Sequence, residues 1–300
     1  MQIINKFFKY LKYLIFKIFE KLNIKIYTKK QKRILRNKII KSDSNLDSII
    51  FFTTHKCASN FTQVMLKEIE TISEYSLYDY GSLLGSLNIE LNLSSNFETH
   101  LNKNFNSLFQ LKGEIYGPQR KPLDFEGLDK YKKIFFLRDP RDVLISAYYS
   151  FGFTHPKPIA NPNIINDFKS QRKEISNMSL DEYVLKELNL WIKPMYRNYI
   201  QIKENSNNKS LFVSYSEYVF SSKEFFNKIF NFLNIEHPNL INKLILLSNP
   251  IQNKEDTKKH QRSGKVGQWR EKLKPETINQ LNTELRDILL YWEFEKNTLN

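Results

Sequence analysis

The chain has one cysteine, Cys57, in 300 residues. No internal disulfide can form, and a cysteine-built zinc cage is excluded. That thiol usage suits a reducing, cytoplasmic setting. Long apolar runs are missing too. Lysines interrupt every hydrophobic stretch of the N-terminus, so it is too charged to span a bilayer. It also lacks the apolar region and small-residue cleavage site of a secretory signal. Negative charge is scarce: 32 acidic side chains face 46 basic ones, a formal net charge of +14. Such a surplus favours an anionic partner, whether nucleotide, nucleic acid, acidic glycan or membrane surface, with solubility alone as the plain alternative. No internal repeat is visible. What is present is a hydrophobic content of 41% and an aromatic content of 14%, enough to bury a core and to exclude wholesale disorder.

The stretch NKFFKYLKYLIFKIFEKL has helical periodicity. Phe7, Leu11, Leu14, Ile15, Ile18 and Leu22 share one face; Lys6, Lys9, Lys17 and Lys21 share the other, with Lys12 at its edge. It reads as a basic amphipathic helix lying on an anionic membrane, or as one packing its apolar face on the domain. A charged connector follows, so residues 1–45 form an N-terminal unit and residues 46–300 one domain. From Ser48 strands alternate with helices. SIIFFTT is a buried parallel strand, and a helix is expected from about Asn60 to Ile72. Residues 75–107 suggest short helices and loops. SLFQLKGEIYGP can hold a strand, KKIFFL is a second central strand, and PRDVLISAYYSF is a helix entered by Pro140 and Asp142. The prolines at 156, 158 and 162 suggest a long irregular loop over residues 152–178. Helices follow from Ser179 to about Ile202, SLFVSY is a third strand, and the rest is helical apart from a basic loop, NKEDTKKHQRSGKVGQW. The alternation predicts a doubly wound α/β domain: a parallel β-sheet with helices on both faces.

Three stretches carry candidate chemistry. In FFTTHKCASNF a buried strand turns into a helix, where backbone N–H groups and the positive helix end converge on one point. Lys56, Ser59 and Asn60 add donors to that anion clamp, although helix capping by Ser59 and Asn60 is a competing role. The turn has no glycine and Lys56 comes early, so it does not fit the nucleoside-triphosphate signature G-x-x-x-x-G-K-[ST]. In FFLRDPRDVLIS, Arg138 leaves a strand tip and Ser146 lies two helical turns on; together they suit a phosphate, while Arg138 could instead pair with Asp139 or Asp142. In HQRSGKVGQWREKL, Gly264 and Gly267 give backbone freedom and Arg262, Lys265 and Arg270 give charge, a composition suited to closure over an anion or to a solvated charge run.

Taken together, these motifs resemble the sulfotransferase family that uses 3′-phosphoadenosine 5′-phosphosulfate (PAPS), over roughly residues 48–295. KCASNF is similar to that family's K-[ST]-G-[ST]-[ST]-[WF], RDPRDVLIS to R-[ND]-P-[KR]-D-x-x-x-S, and RSGKVGQWR to R-K-G-x-x-G-[DQ]-W-[KR]. The resemblance implies a P-loop NTPase-like sulfotransferase fold with no metal. It assigns Lys56, Cys57, Ala58, Ser59, Asn60 and Phe61 to the 5′-phosphosulfate, with Lys56 stabilising the leaving oxygen. Arg138, Ser146 and Arg262 go to the 3′-phosphate, Tyr215 to adenine, and Ser263 and Gly264 to the closing loop. Ala58 stands for the usual glycine, Asn60 for a hydroxyl, Phe61 for a frequent tryptophan and Ser263 for a lysine. The KTHLP segment that supplies the histidine of small-molecule members is absent, and EIYGPQRKP occupies its place.

A hydroxyl acceptor needs a general base. His155 in FGFTHP is the first choice, with His55, His100, Glu114 and Asp124 as rivals. Cys57 lies two residues from His55, a poor geometry for a nucleophilic pair, and reads as filler. The expected reaction is metal-independent, in-line sulfuryl transfer from PAPS to a hydroxyl or amine of a carbohydrate or glycolipid. The expected setting is the cytoplasm, at the inner membrane surface if the N-terminal helix binds lipid, and no nucleic-acid partner is expected. The alternatives are a Mg-dependent phosphotransferase of P-loop-like fold and a non-catalytic basic protein binding nucleic acid or membrane.

Overall fold

In the computed structural model, residues 28–36, 44–87, 97–157, 162–248 and 264–294 are described. The amphipathic stretch at the N-terminus lies outside them, as do Arg262 and Ser263. Five parallel strands form one sheet in the order β2-β3-β1-β4-β5: β1 (Ile49–Thr53), β2 (Ser76–Tyr78), β3 (Glu114–Gln119), β4 (Lys132–Leu137) and β5 (Ser210–Ser214). The doubly wound α/β architecture is as expected.

Ile49–Phe52 of β1 and Ile134–Leu137 of β4 are apolar because both faces of the sheet are covered there. Ile50 and Phe52 of β1 and Phe135 and Leu137 of β4 enter one core; Ile49, Phe51, Ile134 and Phe136 enter the other. The Phe52 and Phe135 rings stack at 5.3 Å. β1 lies between β3 and β4, with Ile50 opposite Tyr116 and Phe52 opposite Gln119. The extra β3 residue in that interval sits where Gly117 presses on Phe51: a Cβ there would come within 2.8 Å of the Phe51 Cβ.

Two expectations are corrected. Residues 152–178 are not an irregular loop throughout: a π-helical turn, Ser150–Thr154, leads on to a helix, Pro162–Ser176. Pro162 is the first residue of that helix, where its missing N–H leaves no hydrogen bond unmade. Ile164, Phe168 and Ile175 follow at helical spacing, and Ile175 is buried against Gly152. Within residues 75–107 an edge strand, β2, was not foreseen; three residues are too few for alternation to show. The helices expected from Ser179 are present as Leu180–Glu187 and Lys193–Glu204, joined by a π-helical turn and opened by a capping box between Ser179 and Glu182.

The charged connector also contains a helix, Lys29–Arg36. Its Arg33 is fully buried, bonds Glu114 at 2.6 Å and the Leu108 carbonyl at 2.6 Å, and stacks on Tyr78. Burial pushes the Glu114 carboxyl above the ordinary range, with Arg33 pulling against it. Removing one member of such a pair strands the other charge. Glu114→Ala is therefore expected to cost about 3–5 kcal/mol in chemical denaturation. Replacing Arg33 and Glu114 together by Met and Leu should recover most of that loss.

Candidate active site

Residues 54–58 connect β1 to the Ser59–Ile72 helix at the carboxyl end of the sheet. Lys56 (φ 67°) and Ala58 (φ 46°) both adopt left-handed backbone. The turn thus makes, without glycine, the bends that glycine makes without strain. The conformation costs on the order of 1–2 kcal/mol per non-glycine residue. Ala58 provides no side-chain cap, and Ser59 and Asn60 lie inside the first turn of the helix, so the capping role weighed for them is not realised. The first-turn N–H groups have no partner within the helix. Their donors and the positive helix end face the turn, where an anion satisfies both. Cys57 is fully buried, its Sγ donating to the Phe136 carbonyl, and burial pushes its thiol up to about 12. It packs the turn and is no nucleophile at neutral pH.

Arg138, at the end of β4, joins the second motif to the other two. It is 5% exposed. Nη1 donates to the Lys56 carbonyl at 3.1 Å and Nη2 to the Lys265 carbonyl at 2.8 Å. Its guanidinium lies 4.4 Å from the Tyr215 ring centre, and Asp142 stands 3.7 Å from Nη2. Asp139 pairs instead with Arg141, at 2.7 Å. The Arg138 Nε is buried with no hydrogen-bond partner. Asp142 accepts from the Gly267 and Trp269 amides at 2.7 and 3.3 Å, and Tyr215 Oη donates to the Gly264 carbonyl at 3.0 Å. The third-motif loop is thereby drawn onto Arg138 and Tyr215. The left-handed backbone of Gly264 (φ 66°) and Gly267 (φ 77°) permits this path. Trp269 stacks between Arg141 and Arg270. Ser146 is half-buried on the Pro140–Tyr149 helix. Phe61 packs on Tyr218 and Phe226 at 5.2 and 5.9 Å.

The base candidates separate. His155 and His55 flank Phe151, with ring centres 5.7 and 6.3 Å from it. Burial pushes the half-buried His55 down to about 3, aided by Arg120, Lys121, Lys56 and His155, so its ring is neutral at physiological pH. Glu114 lies beside Ser48 at the opposite end of the strands, five residues or about 16 Å from the turn, locked to Arg33. Asp124 is exposed and lines a cavity of about 460 Å³ with Lys133, at the start of β4. His100 is half-buried on the Phe97–Lys103 helix, its Nε2 without a partner, and desolvation lowers its pKa. Sequence reasoning missed the tyrosines that fix the strand ends: Tyr199 Oη donates to the Thr53 carbonyl at 2.8 Å and Tyr196 Oη to that of Arg138. Their three-residue spacing on one helix was the available signal.

Two outcomes follow. Ala58→Gly should stabilise the protein by about 1 kcal/mol, a rise of roughly 2–4 °C in Tm, because relief of the left-handed strain exceeds the entropy cost of glycine. For His55 the folded pKa, about 3, lies below the ordinary 6.5. Between these values the unfolded chain binds the proton and the folded chain does not, so stability falls as pH drops through that window. Denaturation midpoints at pH 7 and pH 5 should show a smaller acid loss in His55→Gln than in the wild type.

Residues 46–289 match the family model described as a sulfotransferase domain. No curated protein sequence matches the chain. Among solved structures, mouse sulfotransferase SULT7A1 complexed with PAP is 15% identical with a TM-score of 0.50, covering 87% of this chain and 89% of that one. Retinol dehydratase in complex with androsterone and inactive cofactor PAP is 16% identical, with a TM-score of 0.46 and coverage of 86% and 85%. The sulfotransferase domain from the curacin biosynthetic pathway is 13% identical, with a TM-score of 0.39 and coverage of 81% and 99%. With the match spanning most of its length, the chain belongs to the sulfotransferase-domain family.

Proposed function

We propose that the protein transfers a sulfuryl group from PAPS to a hydroxyl or amine of a carbohydrate or glycolipid, without a metal. The observation that carries this reading is the uncapped helix end at Lys56–Phe61, tied through one buried arginine to the loop of the third motif. Solved relatives in complex with PAP support the choice of donor. The donor supplies a sulfuryl group on a phosphate leaving oxygen.

The residues of this chain do the rest. Amides from Cys57 to Phe61 and the Lys56 ammonium stabilise charge growing on the leaving oxygen as the S–O bond breaks. Arg138, with its uncommitted Nε–H, and Ser146 bind the 3′-phosphate together with Arg262. Tyr215 sets the adenine side, with Gly264 of the third motif held against it. The acceptor oxygen forms the new bond to sulfur, and its proton passes to His155. Among the described residues no three His, Cys, Asp or Glu side chains gather as a metal cluster would require, and none of their helices is long and apolar enough to cross a membrane. The N-terminal basic stretch of residues 5–22 would hold the domain at the inner surface of an anionic membrane.

The test is transfer of radiolabelled sulfur from PAPS into a glycan and lipid extract. Label should appear in a hydroxyl-bearing acceptor at the same rate with and without EDTA. Lys56→Ala should slow transfer by roughly 10²–10³, about 2.7–4 kcal/mol of barrier. A rate within a few-fold of wild type removes Lys56 from that role. His155→Ala should abolish the acidic limb of the pH–rate profile, and an unchanged profile excludes His155 as the base.

A further inference from the structure

The turn after β1 has two flanks, and basic residues stand on both. On one side β4 ends in Arg138, which the proposed donor site uses. On the other side β3 ends at Gln119, paired opposite Phe52, so the chain continues into Arg120 and Lys121 beside the start of the turn. β3 and β4 are separated by β1, two strand spacings or about 9–10 Å. Arg120 is therefore on the flank away from the 3′-phosphate position, and the donor reading leaves it without a task.

Its surroundings point to a ligand. Arg120 is half-buried, and its Nε is buried with no hydrogen-bond partner. A buried donor left unpaired is costly, and an incoming acceptor atom relieves that cost. The Gln119 side-chain amide turns back to the Lys121 carbonyl at 3.0 Å, and Lys121 itself pairs with Glu98 at 3.2 Å. In the turn, the His55 ring meets Phe151 at 6.3 Å, and Phe151 packs on His155; Arg172 pins this pair by donating to the Phe151 carbonyl at 3.3 Å and to that of His155. Arg120, Lys121, Lys56 and His155 all act on His55 electrostatically, and all are basic. A neutral sugar or lipid hydroxyl gains nothing from such a field, whereas an anion beside the reacting hydroxyl does.

We propose that the acceptor carries its own anionic group, a carboxylate, phosphate or sulfate ester near the hydroxyl to be sulfated, and that Arg120 binds that group. This rests on the sulfotransferase reading above. A planar guanidinium suits all three anions, because each offers paired oxygens to parallel N–H donors. The acceptor class thereby narrows to acidic glycans and anionic lipids.

Calorimetric titration of the PAP-saturated protein with matched probes tests this: glucose against glucuronate, glycerol against glycerol phosphate, galactose against galactose sulfate. At least one anion should bind about tenfold or more tighter than its neutral parent. Arg120→Gln should abolish the preference and Arg120→Lys should restore part of it, with PAP affinity unchanged in both. The proposal is overturned by equal binding within every pair, by no binding of any anion at about 10 mM, or by a preference that survives in Arg120→Gln. PAP binding is measured first. Its absence in the wild type overturns the donor reading and this proposal together; its presence without anion preference overturns this proposal alone. Which probe binds separates a uronic-acid glycan, a phosphate-bearing lipid or sugar, and an already sulfated glycan.

Discussion

The Arg138 guanidinium, buried where β4 ends, bonds the backbone of two segments that are far apart in the chain: the Lys56 carbonyl 82 residues upstream and the Lys265 carbonyl 127 residues downstream. Taking such a cation out of water is costly unless most of it is matched. Two carbonyls, Asp142 and the face of Tyr215 supply the match. Because Asp142 also receives the Gly267 and Trp269 amides, the same carboxyl positions the third-motif loop. The turn after β1, the second-motif helix and the loop therefore form one polar unit, and movement of the loop must alter what Arg138 is bonded to. The Arg138 Nε has no hydrogen-bond partner.

The turn shows how the bends of a glycine-bearing loop are made without glycine. Lys56 and Ala58 take up left-handed backbone, and the helix behind them begins without a side-chain cap. Strain of this kind persists where the surroundings over-determine it. Here the over-determination is visible: Arg138 holds the Lys56 carbonyl, Tyr199 holds that of Thr53, and the Cys57 thiol is buried against Phe136. A helix end that no side chain caps is the result.

Much of this was legible in the sequence, for identifiable reasons. β1 and β4 are buried on both faces, so they read as unbroken apolar runs, and the three motifs keep a spacing that local structure preserves. The short edge strand Ser76–Tyr78 gave no alternation to detect, and the helix from Pro162 was hidden by the prolines before it. The partners of Arg138 come from distant backbone, which no local pattern encodes. Glu114 read as a possible base because its residue type fits, but strand register places it at the wrong end of the sheet, paired with Arg33. Arg120 drew no notice because its significance depends on β3 lying beside β1 on the side opposite β4.

The donor site is tested most directly by thermal unfolding with 3′-phosphoadenosine 5′-phosphate, compared with AMP and with Mg-ATP, each with and without EDTA. At about 100 times its dissociation constant a specific ligand adds about 2.7 kcal/mol of stability, a readily measured rise in Tm. The structure and the three motifs predict a rise selective for the 3′-phosphorylated nucleotide and indifferent to EDTA. No rise, or a rise with Mg-ATP alone, would contradict the sulfuryl-transfer reading and favour a metal-dependent phosphotransferase or a non-catalytic binding protein.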